Sequence, residues 1–218
     1  MARDSLPEYG SLGGARLVYE EDQQPKQLHI DPETASRLEQ WVGWLPSTGL
    51  GAPTVIRTYG AWVSDEPECT SMHGAGRALD VAAVVTGGGE VSCRTDLWQG
   101  GGTPAQLAAY WRLAAGLHLH FAYVLTYLYD SLHANHIHVD DTESRGGLSR
   151  FNTQSRVQCQ GVQAICRHVW GVPTDITGTW DPQTRASLKT VTKRLGISDA
   201  IGTQPQWHAF LTRSAQIS

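Results

Sequence analysis

Six of the nine histidines fall between His73 and His138, in company that suits metal chemistry. Ser71 to Asp80 reads Ser-Met-His-Gly-Ala-Gly-Arg-Ala-Leu-Asp, and His133 to Asp140 reads His-Ala-Asn-His-Ile-His-Val-Asp. Imidazole nitrogens and carboxylate oxygens are the usual ligands of a zinc ion. His73 and Asp80 are seven residues apart, and one straight helix would separate them by about 10 Å along its axis, too far to share an ion. Gly74 and Gly76 offer another route, because a glycine loop can curl back and bring His73 to an aspartate at the start of a strand. His136 and His138 are two apart, so on a strand they project from one face with alpha carbons about 7 Å apart. One of them then ligates while the other stands beside the metal. Three nitrogen or oxygen ligands leave one position open, which is the arrangement of a catalytic zinc rather than a closed structural one.

The elements that must position these residues follow from pattern. Residues 1 to about 27 show no clear periodicity and read as an arm over the surface. Asp31, Pro32 and Glu33 open a helix, with a capping side chain, a proline at the first turn and an early acidic charge. Ala35, Leu38, Trp41, Val42 and Leu45 recur on its core face. Pro53 to Tyr59 reads as a strand that delivers Arg57 near its end. Leu79 to Val85 is the strand that carries Asp80, turned by Gly87, Gly88, Gly89 and Glu90 into a hairpin with Val91 to Thr95. Thr103, Pro104 and Gln106 start a second helix that ends near Gly116, and Phe121–Leu125 and His136–Asp140 are the remaining strands. The predicted class is therefore α+β, a small antiparallel sheet with flanking helices carrying a zinc site, followed by a small helical domain.

Ser-x-His-x-x-Gly-x-Ala-x-Asp followed by a His-x-His strand resembles the zinc peptidases of the D-alanyl-D-alanine carboxypeptidase and hedgehog-like fold group. The His-x-x-His-x-His form of the second stretch is similar to the penicillin-insensitive murein endopeptidases, and its His-x-His-x-Asp end to the bacterial extensin-like proteins. The resemblance spans about Val55 to Asp140. It implies Zn2+ held by His73, Asp80 and His138; Asp140, two further along the same strand face, is the candidate for orienting a ligand imidazole. Many members of the group carry a glutamate three residues before the last histidine; Asn135 stands there and cannot act as a base. The resemblance thus leaves His136, supported by His133, to move the proton, an exchange suited to an imidazole titrating near pH 6.5. Arg57 is the candidate for holding a substrate carboxylate or the developing oxyanion. The second His-x-His, His118 and His120, lacks a glycine loop or an aspartate at the right spacing and reads as structural.

Composition narrows the rest. The chain has 218 residues, 40% of them apolar, and eight tryptophans, enough for a core. A net charge of −4 without a basic run gives no reason to expect nucleic acid, and no apolar stretch is long enough for membrane insertion. Met1 to Glu8 show no secretory apolar segment, so action at the cell wall implies a removed leader, phage-type lysis or a specialised secretion route. The four cysteines are read either as reduced, buried thiols or as disulfides: Cys69 and Cys93 flank the first motif and its hairpin, where antiparallel neighbours could bring them together, whereas Cys159 and Cys166 would lie about 10 Å apart if both were on one helix.

From about residue 145 the chain changes to short helical patterns. The stretch 161–188 resembles a three-helix peptidoglycan-binding repeat, with Thr177, Asp181 and Ser187 departing from its pattern. Three segments are expected: an arm at 1–27, a zinc peptidase-like domain at 28–150 and a helical peptidoglycan-binding-like domain at 151–218. The function expected is zinc-dependent hydrolysis of amide bonds in peptidoglycan stem peptides or cross-links. A non-catalytic metal-containing wall-binding module and a zinc peptidase for a small non-wall peptide are the alternatives.

Overall fold

The computed structural model describes residues 5–61, 71–140, 148–197 and 200–217. Its strands are β1 (Glu8–Tyr9), β2 (Ser11–Leu12), β3 (Ala15–Tyr19), β4 (Leu28–His29), β5 (Pro53–Gly60), β6 (Ala78–Thr86), β7 (Gly89–Ser92), β8 (Tyr123–Leu125) and β9 (Ile137–Asp140). Its α-helices are α1 (Pro32–Trp44), α2 (Pro104–His120), α3 (Arg156–Ala164), α4 (Pro182–Leu195) and α5 (Gln204–Gln216). Seven strands form one sheet in the order β2-β3-β5-β6-β9-β8, with β7 also pairing β6, while β1 and β4 make a separate ribbon. The class is α+β, but the sheet is mixed: β3 runs parallel to β5, and the other pairs are antiparallel.

That parallel pair corrects the reading of residues 1–27 as a surface arm. Leu12, Ala15 and Leu17 are fully buried, and Arg16 to Tyr19 pair with Val55 to Thr58. A strand of five residues carries too little alternation to stand out in the sequence, and its partner lies some forty positions away. The helix starts follow their caps. Asp31 accepts from the backbone of Glu33 and Thr34, and Thr103 and Gln106 close a reciprocal capping box. α2 runs past Gly116 to His120. Gly116 is not a terminator, because a Cβ there would meet the Trp44 ring at 2.7 Å; it is a helical glycine that lets an indole approach closely.

α2 is the central helix, buried on every side from Tyr110 to His120 except at Arg112, and packed by α1, α3 and α5. One contiguous core runs from Leu12 to Ala215 and includes residues of all three expected segments. Trp207 of α5 is fully buried and donates to Ser149 Oγ at 2.7 Å, and Arg112 of α2 donates to the Ala215 carbonyl at 3.1 Å. His118 lies in this seam under Gly161 of α3, where a Cβ would sit 2.6 Å from Nε2. Burial pushes His118 down to about 3 and, foremost among its causes, His120 to about 4; neither ring has a hydrogen-bond partner among the described residues, and both read as neutral core histidines. Cys93, Cys159 and Cys166 are buried, and Cys159 on α3 and Cys166 in the turn beyond it form no bridge with each other. Cys69 lies outside the described residues, and with it the proposed Cys69–Cys93 pairing.

Candidate metal centre

Asp80 and His138 face each other directly across the β6–β9 ladder, so their side chains leave the sheet on one face at neighbouring points. His73 arrives from the loop. Ser71 caps the short turn Met72–Ala75, accepting from the His73 backbone, and Gly76 closes that turn at φ 66°. Only glycine suits this position, because a Cβ would meet Leu6 Cδ1 at 2.5 Å and the His29 carbonyl at 3.2 Å. The Gly76 carbonyl then accepts from Asp31 N at 2.9 Å, fastening the loop to the start of α1.

The three ligand atoms form a tight triangle. His73 Nε2 lies 3.0 Å from His138 Nδ1 and 3.2 Å from Asp80 Oδ1, and His138 Nδ1 lies 3.0 Å from Asp80 Oδ1. A tetrahedral zinc with bonds of about 2.0–2.1 Å needs ligand atoms roughly 3.3–3.4 Å apart, so the triangle fits an ion with small outward shifts. The opposite ring nitrogens settle the tautomers. His73 Nδ1 donates to the Ala61 carbonyl at 2.5 Å, and His138 Nε2 donates to Asp140 Oδ2 at 3.1 Å. Each ring therefore turns its other nitrogen toward Asp80. Converging acceptors repel one another unless a proton or metal ion lies between them. Burial opposes charge on His138, yet Asp140 and Asp80 lift it to about 9. Burial likewise opposes charge on Asp80, but the His138 and His73 rings beside it hold it well below the usual carboxylate range. His73, Asp80 and His138 are thus a buried group able to hold a metal ion.

The group opens into a cleft of about 620 Å³ lined also by Met72, Tyr123, Leu125, Leu132, His133 and His136. His136 sits just before β9, its Nδ1 donating to Asn135 Oδ1 at 2.6 Å and its Nε2 3.3 Å from Asp80 Oδ1. Burial brings it down to about 4, against the pull of Asp80. His133 donates from Nδ1 to Asp130 Oδ1 at 2.7 Å. Asp130 escaped the sequence reading, although its place three residues before His133 was a usable signal for a capping turn.

Arg57 is not at the cleft, which corrects its candidacy as a substrate ligand. It pairs with Ala83 across the sheet, three residues along β6 from Asp80, or about 10 Å on a strand. Its guanidinium is held by Glu20 at 3.4 Å and by Glu90, and Glu20 also takes Arg94 at 3.0 Å. Glu20 follows β3, inside the segment read as an arm, so the sequence offered no acidic partner for Arg57.

The chain matches no curated protein and no solved structure. Residues 61–151, the stretch that holds His73, Asp80, His133, His136, His138 and Asp140, match the family described as Extensin-like protein C-terminus.

Proposed function

We propose that this chain is a zinc-dependent hydrolase of amide bonds in peptidoglycan stem peptides or cross-links, acting at the bacterial cell wall. One observation carries the reading: a buried triangle of two imidazoles and a carboxylate opens into a cleft where two further imidazoles stand within reach of a substrate. A zinc held by His73, Asp80 and His138 would supply Lewis-acid polarisation of the scissile carbonyl and a lowered proton affinity of water. The chain's own groups do the rest. Ala61 and Asp140 keep the ligating rings in the required tautomers, and the Ser71–Gly76 turn keeps His73 over the sheet. His133 and His136 line the cleft, where an imidazole can take a proton from the attacking water and pass it to the departing amine. Met72, Leu125 and Leu132 give the cleft an apolar wall suited to alanine-rich peptides.

The C-terminal helices add a second cavity of about 370 Å³ between Phe151, Trp180, Leu188 and Ile201, edged by Arg185 and Lys189. We assign it to the wall polymer, since aromatic faces and cations suit a glycan strand that bears carboxylates. The deciding experiment is incubation of the zinc-loaded protein with purified peptidoglycan and mass analysis of the released fragments. New amine and carboxyl ends are expected with the wild type and none with His73→Ala. Intact polymer with both proteins would refute the hydrolase.

A further inference from the structure

The four imidazoles of the cleft differ in what stands behind them. His73 is backed by the Ala61 carbonyl and His136 by the amide oxygen of Asn135, both neutral. His138 is backed by Asp140 and His133 by Asp130, both carboxylates. A neutral acceptor orients a ring, whereas a carboxylate orients it and also stabilises the imidazolium that forms when the ring accepts a proton. His138 belongs to the metal group, so His133 is the remaining cleft imidazole with a carboxylate behind it.

The free nitrogens separate the pair further. His136 Nε2 is turned to Asp80 Oδ1 at 3.3 Å, toward the metal group itself. His133 Nε2 has no hydrogen-bond partner among the described residues and belongs to a side chain lining the cleft. The turn that carries it is anchored from both sides. Asp130 Oδ1 accepts from the backbone of Leu132 at 2.9 Å and of His133 at 3.3 Å, while the Ala134 carbonyl accepts from Thr95 Oγ1 at 2.7 Å and Asp96 N at 3.0 Å. Tyr129 meets the His133 ring edge-on, with centroids 5.4 Å apart.

Resting on the hydrolase reading, we propose that Asp130 is a positioning residue for His133 and that this pair, rather than His136, carries the proton of the reaction. As the oxygen of the attacking water bonds to the scissile carbonyl carbon, its proton passes to His133 Nε2. As the carbon–nitrogen bond breaks, the same proton passes to the departing nitrogen, which leaves as an amine. Asp130 remains ionised throughout, and His136 holds its place between Asn135 and Asp80.

Asp130→Asn tests the charge without removing the turn, because an amide oxygen still accepts from the backbone and from Nδ1. With zinc content unchanged, kcat on soluble stem peptides is expected to fall at least about tenfold while KM stays near wild type, and the pH–rate profile to shift; Asp130→Glu should recover part of the loss. His133→Ala should cost more than His136→Ala when both retain zinc. Nitrogen-15 spectra of the full chain, with and without zinc, should show His133 protonated at Nδ1 in the wild type and a mixture in Asp130→Ala. Wild-type kcat in Asp130→Asn, a larger loss from His136→Ala, or an Nε2-protonated His133 would each overturn the proposal. A wild type that binds zinc and cleaves no wall peptide ends the hydrolase reading and the proton-transfer role with it, while the spectra still decide whether Asp130 orients His133.

Discussion

Asp140 is the residue whose replacement reads most directly on the metal group without touching a ligand. It lies in β9 between β6 and β8, paired with Ala78 on one side and Tyr123 on the other, and its side chain is 7% exposed. Pairing on both sides restrains the backbone at this position. Asp140→Asn leaves the shape and removes the charge; if the amide NH2 rather than its oxygen turns to His138, the ring must carry its proton on Nδ1, the atom that faces Asp80. Asp140→Ala removes the acceptor altogether. Losing such a partner typically weakens metal binding about 10- to 100-fold, or about 1.4–2.7 kcal/mol. Asp140→Asn is expected at the lower end of that range and Asp140→Ala at the upper. Zinc affinity is measured by competition with a chromophoric chelator at neutral pH, with circular dichroism to verify the fold. Folded variants that bind zinc within about twofold of wild type would refute the idea that the His138 tautomer is held from Asp140.

Two further expectations concern stability. His118 titrates near 3 in the folded chain against an ordinary 6.5, so between those values the unfolded chain binds the proton that the folded chain refuses. Stability therefore falls with acidification in that window, by up to about 1.4 kcal/mol per pH unit for this one ring. Urea midpoints measured from pH 7 to 5 should decline less steeply in His118→Leu than in wild type, and parallel slopes would show that His118 does not contribute. A chain ending near residue 150 loses Trp207, Phe210, Leu211 and the α3 residues that cover α2. Each large buried apolar side chain contributes about 1.5–3 kcal/mol against a total stability of about 5–15 kcal/mol. The shortened chain should aggregate or unfold under light scattering and circular dichroism; a folded monomer with wild-type zinc affinity would show that the two parts are separable.

Asp31, Pro32, Thr103 and Gln106 announced the helix starts, and the Gly87–Glu90 turn announced the hairpin, because caps and tight turns are decided within a few residues of chain. His73, Asp80 and His138 were legible as a group for a related reason: two short motifs each carry their own local geometry, a glycine loop in one and strand alternation in the other. What stands around that group was not legible. The Ala61 carbonyl behind His73, the parallel pairing that turned an expected arm into strand β3, and the Glu20 that draws Arg57 away from the cleft all depend on contacts between distant segments. Gly116 shows the same limit on a single residue, since its type is equally consistent with ending a helix and with admitting the Trp44 ring inside one. Residue type and spacing determine which side chains can meet at a metal. Only tertiary packing decides which nitrogen each imidazole offers, because the acceptor that fixes a tautomer can come from anywhere in the chain.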